Sequence, residues 1–154
     1  MASYYADSSV LVKRHIQEVG TAWFQTLADL ATGNTILATQ VSEIEVISAL
    51  QRRLREGFLS SADAQQLGAD FRALCQTEYQ LVGVTTAVVD RACQLLTQYP
   101  LRAYDAIQLA SALIANDALL VAGLNAATFL SADLRLLQAA AAEGLSTDDP
   151  NQHP

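Results

Sequence analysis

Residues 3–14 read SYYADSSVLVKR and predict a strand, a turn and a helix in immediate succession. The first four of these residues are β-prone, Asp7-Ser8-Ser9 supplies side-chain oxygens that cap helices, and Val10 begins an apolar helical run. The same order of a short strand followed by a helix recurs along the chain, over residues 35–56, 79–98 and 127–143. Short strands that alternate with helices predict a parallel sheet with helices on both faces.

Capping and breaking residues set the expected boundaries of these elements. Strands are expected at residues 35–38, 79–84 and 127–131, and helices at 21–31, 42–56, 62–76, 86–98 and 134–143. A further apolar helix begins at Ala103 and continues past Asn116, while residues 117–123 fit either its end or a strand. The polar residues 146–154, with two prolines, predict a loose tail. The sequence thus predicts one domain over residues 1–145 and a flexible tail over 146–154.

Composition limits the class of protein. With 154 residues, 51% of them hydrophobic and 16% charged, the chain can bury one core. The N-terminus lacks a secretory signal and no stretch is suited to a membrane, so a cytoplasmic protein is expected. Cys75 and Cys93 lie in amphipathic stretches, which favours buried thiols over a disulfide or a zinc site. The net charge of −7 has the wrong sign for binding nucleic acid through a general field, so any such contact must be local or assisted by metal ions or a partner.

Four acidic residues fall where strands end and helices begin: Asp7, Glu45, Asp105 and Asp133. Each has a purely local explanation. Asp7 and Asp133 suit helix N-caps, and Asp105 suits the positive end of a helix dipole. Ser42 and Glu45 fit the S-x-x-E capping box. In a parallel sheet, however, these helix starts all meet at the carboxyl ends of the strands, where ligand sites form. A shared carboxylate cage is therefore the better interpretation.

The chemistry of such a cage points to divalent cations. Carboxylates a few ångströms apart repel one another, so the cage persists at neutral pH only with protons or cations in it. Ligands that are all oxygen suit Mg²⁺ or Mn²⁺, and the lack of a His or Cys cluster argues against zinc. Hard divalent ions held by carboxylates typically serve phosphate chemistry. The cage alone is compatible with a nuclease of RNA or DNA and with a phosphatase.

Four stretches of sequence that contain these acids follow one another along the chain. They are YADSSVLVK (5–13), EVISAL (45–50), LRAYDAIQLASAL (101–113) and TFLSADLRLL (128–137). In this order they resemble the successive motifs of PIN-domain proteins, especially the toxins of bacterial virulence-associated toxin–antitoxin pairs. Any one motif occurs by chance, but four in order, spread over nearly the whole chain, indicate the family.

The resemblance implies a three-layer α/β/α sandwich with a short-stranded, mostly parallel central sheet, and a ribonuclease that depends on Mg²⁺ or Mn²⁺. Carried over residue by residue, the catalytic and metal-binding residues are Asp7, Glu45, Asp105 and Asp133, with Ser9 and Ser131 as supports. Glu43 competes with Glu45, but it lies about 200° away around a helix, and only Glu45 directly precedes Val-Ile-Ser-Ala-Leu as the family's acid does. The implied partners are an RNA substrate, a small cognate antitoxin and a second copy of the chain.

Some alternatives stay open on the sequence alone. The PIN-like fold could be retained as a weakly active or inactive binding module, which the charge of −7 favours and the presence of all four acids opposes. A phosphatase or a DNA nuclease would use a similar cage. Arg52, Arg53 and Arg55 form the densest basic patch, which is typical of a solvated helix face and otherwise of a site for phosphate or an acidic partner. Trp23 and Phe24 indicate a core or dimer contact rather than a platform for bases.

Overall fold

The computed structural model of the chain describes all residues 1–154. Its strands are β1 (Ser3–Ala6), β2 (Thr35–Thr39), β3 (Gln80–Val82), β4 (Thr128–Leu130) and β5 (Ser146–Asp148). They form one sheet in the order β3-β2-β1-β4-β5, and every neighbouring pair is parallel. The predicted parallel sheet is therefore confirmed, with β1 at its centre.

Seven helices cover the two faces of this sheet. They are α1 (Ser8–Leu11), α2 (Thr21–Leu27), α3 (Ser42–Arg55), α4 (Ser61–Thr77), α5 (Thr86–Gln98), α6 (Ala103–Val121) and α7 (Leu134–Ala142). Three short 3-10 turns lie at residues 12–14, 30–32 and 150–152. One apolar cluster joins the sheet to α1–α4 and a second joins it to α5–α7. The three-layer α/β/α sandwich implied by the sequence is confirmed.

Alternate residues of the central strands serve the two apolar clusters. In β1, Tyr5 packs with α5–α7 and Ala6 packs with α1–α4, and in β2 the same is true of Leu37 and Ile36. Successive side chains of a strand point to opposite faces, so a strand covered on both faces is apolar at every position. The continuous apolar runs of the short strands follow from this double burial.

Most expected boundaries lie within two residues of the observed ones, and the helix expected over 21–31 is the main exception. That helix ends at Leu27, because the Asp29 side chain accepts a hydrogen bond from Ala31 N at 2.8 Å and caps a separate turn. Residues 117–121 continue α6, so the alternative of a strand over residues 117–123 is wrong.

The last nine residues differ from the loose tail that the sequence predicts. Residues 146–148 form β5 on the outer edge of β4. Beyond them, the His153 ring stacks on the Trp23 ring with centroids 4.2 Å apart, and Lys13 Nζ donates to Asn151 Oδ1 at 3.1 Å. The prediction was wrong because β5 is held by backbone hydrogen bonds to β4, and a short polar sequence gives no sign of such pairing.

The two cysteines differ in burial. Both cysteines are free, but only Cys75 is buried and Cys93 is exposed, so the prediction of buried thiols is wrong for Cys93. None of the helices combines the length and the apolar character that crossing a bilayer requires.

Candidate functional site

The carboxyl ends of β1 and β4 are joined through Asp7. This residue follows β1 directly, caps α1 and is buried, with 4% of its surface exposed. Its Oδ1 accepts hydrogen bonds from Ser9 Oγ at 2.5 Å and from Val10 N at 3.2 Å, and its Oδ2 accepts one from Ser131 Oγ at 2.6 Å. The two serines that the sequence proposes as supports therefore both lie against Asp7.

Burial makes the Asp7 carboxylate unusual. Loss of solvation raises its pKa from 3.8 to about 6, against the three hydrogen bonds that favour the charged form, and the nearby charge of Glu45 raises it further. Asp7 therefore does cap a helix, as its local explanation requires. A cap needs no burial, however, and this carboxylate retains a charge in a place where charge is costly.

Glu45 extends from the first turn of α3 towards the same edge of the sheet. Its Oε2 accepts a hydrogen bond from Ser8 Oγ at 3.1 Å, and its Oε1 accepts one from Gln108 Nε2 at 2.7 Å. Burial raises its pKa, and the charge of Asp105 raises it further. Glu43 instead pairs with Arg72 at 3.6 Å. Of the two glutamates, only Glu45 belongs to this edge.

The capping-box explanation of Glu45 is wrong. Val41 occupies the N-cap of α3 and makes no side-chain capping bond. The hydroxyl of Ser42, which the capping box would use, accepts a hydrogen bond from Gln108 Nε2 at 3.0 Å instead. Both residues of the S-x-x-E pattern are thus bonded to α6 and not to their own helix.

Asp105 and Asp133 complete this edge. Asp105 lies half-buried in the first turn of α6, where burial and the charge of Asp133 raise its pKa and the nearby charges of Arg102 and Arg135 partly offset this. Asp133 is exposed and caps α7, with Oδ1 accepting from Arg135 N at 2.9 Å and from Leu136 N at 3.3 Å. The capping explanation of Asp133 is sound, but it leaves the second carboxylate oxygen without a hydrogen bond to the protein.

These acids form a row of neighbouring carboxylates, called here the acidic row: Asp7, Glu45, Asp105 and Asp133. None of them takes part in any of the six ion pairs of the protein. No three Asp, Glu, His or Cys side chains lie close enough together to hold one metal ion as they stand. The donors are all oxygen and none forms an ion pair, so they are chemically suited to Mg²⁺ or Mn²⁺, although the row would have to contract to enclose an ion.

A groove of about 880 Å³ opens beside Glu45. Arg52, Arg53 and Arg102 line it, and two of these guanidinium groups are free, because only Arg53 forms an ion pair, with Glu18 at 3.3 Å. Two arginines of the basic patch on α3, Arg52 and Arg53, therefore lie in the wall of the groove that also contains Glu45.

Sequence reasoning missed two polar residues of this region, Ser8 and Gln108, which hold the two oxygens of Glu45. Ser8 was visible only as one member of a serine pair after β1. Gln108 offered a clearer signal, since it is a single amide within the apolar run Ala-Ile-Gln-Leu-Ala of α6. A lone amide in such a run requires a buried hydrogen-bond partner.

A comparison with models of known protein families identifies one family. A family model described as PIN domain matches residues 4–142. A search of the curated proteins finds no match to the sequence.

Solved structures share the fold at low sequence identity. VapBC2 from Rickettsia felis, bound to a DNA fragment from its promoter, is 12% identical with a TM-score of 0.64, covering 96% of this chain and 98% of the other. PAE2754 from Pyrobaculum aerophilum is 16% identical with a TM-score of 0.63, covering 98% and 92%. FitAcB from Neisseria gonorrhoeae is 13% identical with a TM-score of 0.56, covering 96% and 97%.

Proposed function

The chain belongs to the PIN-domain family of nucleases, and from this premise we propose that it is an Mg²⁺- or Mn²⁺-dependent endoribonuclease, the toxin of a toxin–antitoxin pair. The observation that carries the proposal is an acidic row that forms no ion pair, beside an arginine-lined groove. Carboxylates of this kind attract divalent cations, and free arginines attract phosphate.

We assign the four residues of the acidic row as catalytic and metal-binding residues. Ser9 and Ser131 would act on the ion only through Asp7, whose carboxylate they hold. When bound, the ion supplies positive charge to the phosphate and lowers the pKa of a nearby water, which is the chemistry that phosphodiester hydrolysis needs.

The protein's own groups would orient the acids and the substrate. Two hydroxyls and a backbone N–H fix Asp7, so this carboxylate is ordered before anything binds. Glu45 is fixed in the wall of the groove. The free guanidinium groups of Arg52 and Arg102 would bind backbone phosphates, because their planar N–H groups match two phosphate oxygens at once. A phosphodiester held by these arginines would lie against Glu45.

A local groove also accounts for nucleic-acid binding by an acidic protein. The net charge of −7 repels RNA at long range, but salt screens such repulsion beyond about 8 Å under physiological conditions. Within that distance, the side chains that line the groove include four positive and two negative ones. Tyr104 lies beside them with 51% of its surface exposed and offers a ring on which an unpaired base could stack. The proposed substrate is therefore single-stranded RNA, or structured RNA that presents an unpaired segment.

A small antitoxin and a second copy of the chain are the proposed partners. The similarity to VapBC2 and to FitAcB supports the antitoxin. Exposed apolar side chains at the end of α6, such as Val121 at 90%, offer surface for a protein contact. Light scattering that finds only monomer at high micromolar concentration would contradict the dimer. Failure to co-purify with the product of an adjoining reading frame would contradict the antitoxin.

Cleavage assays on matched glutamate variants test the enzymatic proposal. The purified protein should cleave single-stranded RNA with Mg²⁺ or Mn²⁺ and stop in EDTA. Glu45→Gln should abolish cleavage, whereas Glu43→Gln, two residues away and paired with Arg72, should leave it unchanged. Equal activity in EDTA, or equal loss in both variants, contradicts the proposal.

The same assay separates the alternatives. If single-stranded DNA competes as strongly as RNA does, the protein is a DNA nuclease. If a small phosphate ester competes as strongly, it is a phosphatase. Mn²⁺ binding that depends on the acidic row, without cleavage of any of these substrates, would indicate a binding module.

A further inference from the structure

Gln108 is a buried amide in an apolar helix. Only 1% of its surface is exposed, and its neighbours Ala106, Leu109 and Ala110 are fully buried apolar residues. Burial of an amide is costly unless its donors and its acceptor are all bonded. In this protein they are. Its Oε1 accepts from the Tyr5 hydroxyl at 3.0 Å, and its Nε2 donates to Ser42 Oγ at 3.0 Å and to Glu45 Oε1 at 2.7 Å.

These three partners determine which way the amide points. The Glu45 carboxylate can only accept, so it must meet the N–H group of Gln108, and the Tyr5 hydroxyl then donates to the carbonyl oxygen on the other side of the amide. A flipped amide would place that oxygen against the Glu45 carboxylate, where two acceptors would face each other. The network therefore aims the N–H groups of Gln108 at Glu45 and Ser42, from the core outward.

Glu45 is thereby held by neutral donors alone. Gln108 binds one carboxylate oxygen and Ser8 the other, and no lysine, arginine or histidine forms an ion pair with either. Neutral donors fix a carboxylate without neutralising it, so its charge stays available for a cation. A basic residue in the place of Gln108 would hold Glu45 as firmly but would compensate that charge.

We propose that Gln108 is a positioning residue, which through its bond to Oε1 fixes the Glu45 carboxylate in the direction in which it binds a divalent ion. The inference rests on the proposed function, because it takes Glu45 as a ligand. Partners that orient a metal ligand in this way commonly contribute about 10- to 100-fold to metal affinity or activity. Tyr5 and Ser42 act one step further out, by holding the amide.

The test replaces Gln108 by methionine, which keeps the length of the side chain and removes all three hydrogen bonds. Calorimetric titration of the full chain with Mn²⁺ should show a Kd raised about tenfold or more. With saturating Mn²⁺ and a single-stranded RNA oligonucleotide, kcat should fall by about tenfold while KM stays within about twofold. Gln66→Met is the matched control, because Gln66 is an exposed helical glutamine that also donates to a carboxylate, Asp70, at 2.8 Å. It should behave as wild type.

The size of the change in Kd separates positioning from a general loss of stability. A variant that is partly unfolded in reversible equilibrium has an apparent Kd raised only by the reciprocal of its folded fraction, which is less than about twofold while more than half of the molecules are folded. A mispositioned ligand raises Kd about tenfold in a variant that circular dichroism shows to be folded. If Gln108→Met does not fold, Tyr5→Phe takes its place, because it removes only the hydroxyl that orients the amide and should raise Kd severalfold.

Each outcome bears on a different statement. If folded Gln108→Met binds Mn²⁺ with the wild-type Kd, the inference is overturned and the nuclease proposal stands. The same holds for Tyr5→Phe when Gln108→Met does not fold. A raised Kd together with no RNA cleavage by wild type supports the inference and overturns the nuclease proposal. Absence of any Mn²⁺ binding by wild type overturns the metal-dependent function and this inference together.

Discussion

Replacing Asp7 by asparagine should stabilise the metal-free protein at neutral pH. Burial raises the pKa of this carboxyl group from 3.8 to about 6. Each pKa unit corresponds to about 1.4 kcal/mol, so the ionised carboxylate lowers the free energy of unfolding by about 3 kcal/mol. Asparagine is a close substitute for the protonated acid. Its Oδ1 can accept from Ser9 and from Val10 N, and its Nδ2 can donate to Ser131.

The expected change in melting temperature follows from this free energy. A protein of this length gains about 2–4 °C per kcal/mol, so Asp7→Asn should melt up to about 6–12 °C higher than wild type in EDTA at pH 7.5. The pKa of Asp7 is higher in the folded than in the unfolded protein. Below pH 3.8 the carboxyl group is protonated in both states, so wild type loses no stability there. The loss appears as the pH rises through about 6 and the folded protein ionises Asp7. The difference in melting temperature between Asp7→Asn and wild type should therefore increase between about pH 4 and pH 6 and stay constant above about pH 7.

Thermal melts at several pH values in EDTA and in Mn²⁺ check this reasoning. Asp29→Asn is the matched control, since Asp29 also caps a helical turn but is exposed. It should change stability by less than about 0.5 kcal/mol. Mn²⁺ should stabilise wild type more than Asp7→Asn and so narrow the gap. An Asp7→Asn protein that melts below wild type at pH 7.5 in EDTA, or a gap that does not vary with pH, refutes the argument.

Three further predictions concern other parts of the site. Asp105→Asn should also melt higher than wild type in EDTA and gain less from Mn²⁺, because it removes a charge that is disfavoured first by burial and then by repulsion from Asp133; a lower melting temperature with an equal gain would contradict this. Arg102→Gln should raise KM for RNA severalfold, whereas Arg55→Gln, outside the groove, should leave it unchanged; steady-state cleavage kinetics of both variants check this, and an equal KM in the two would contradict it. Trp23→Ala should speed amide hydrogen exchange in residues 146–148, since it removes the ring on which His153 stacks, and unchanged exchange would count against that role.

The layers of the fold were accessible from sequence because each depends on a local pattern. The run from Tyr5 to Val10 combines a strand, a cap and a helix within a few residues, and the same pattern returns three times. Strand β5 carries no such signal. It contains three residues, its side chains are mostly exposed, and its stability comes from backbone bonds to β4, which the sequence of β5 does not encode.

The sequence predicts the acids of the candidate site but not the residues that hold them. Acids that follow parallel strands must meet at one edge, so topology alone brings Asp7 and Glu45 together. The interactions that hold Glu45 come from residues 37 and 63 positions away in the chain, and no local pattern reports them. The S-x-x-E pattern was misleading for this reason. A capping box and a serine–glutamate pair held by α6 require the same two residue types, and only the contact with Gln108 distinguishes them. A buried amide opposite an acid is therefore the feature by which a positioned carboxylate can be told from a helix cap, and Gln108→Met tests that distinction directly.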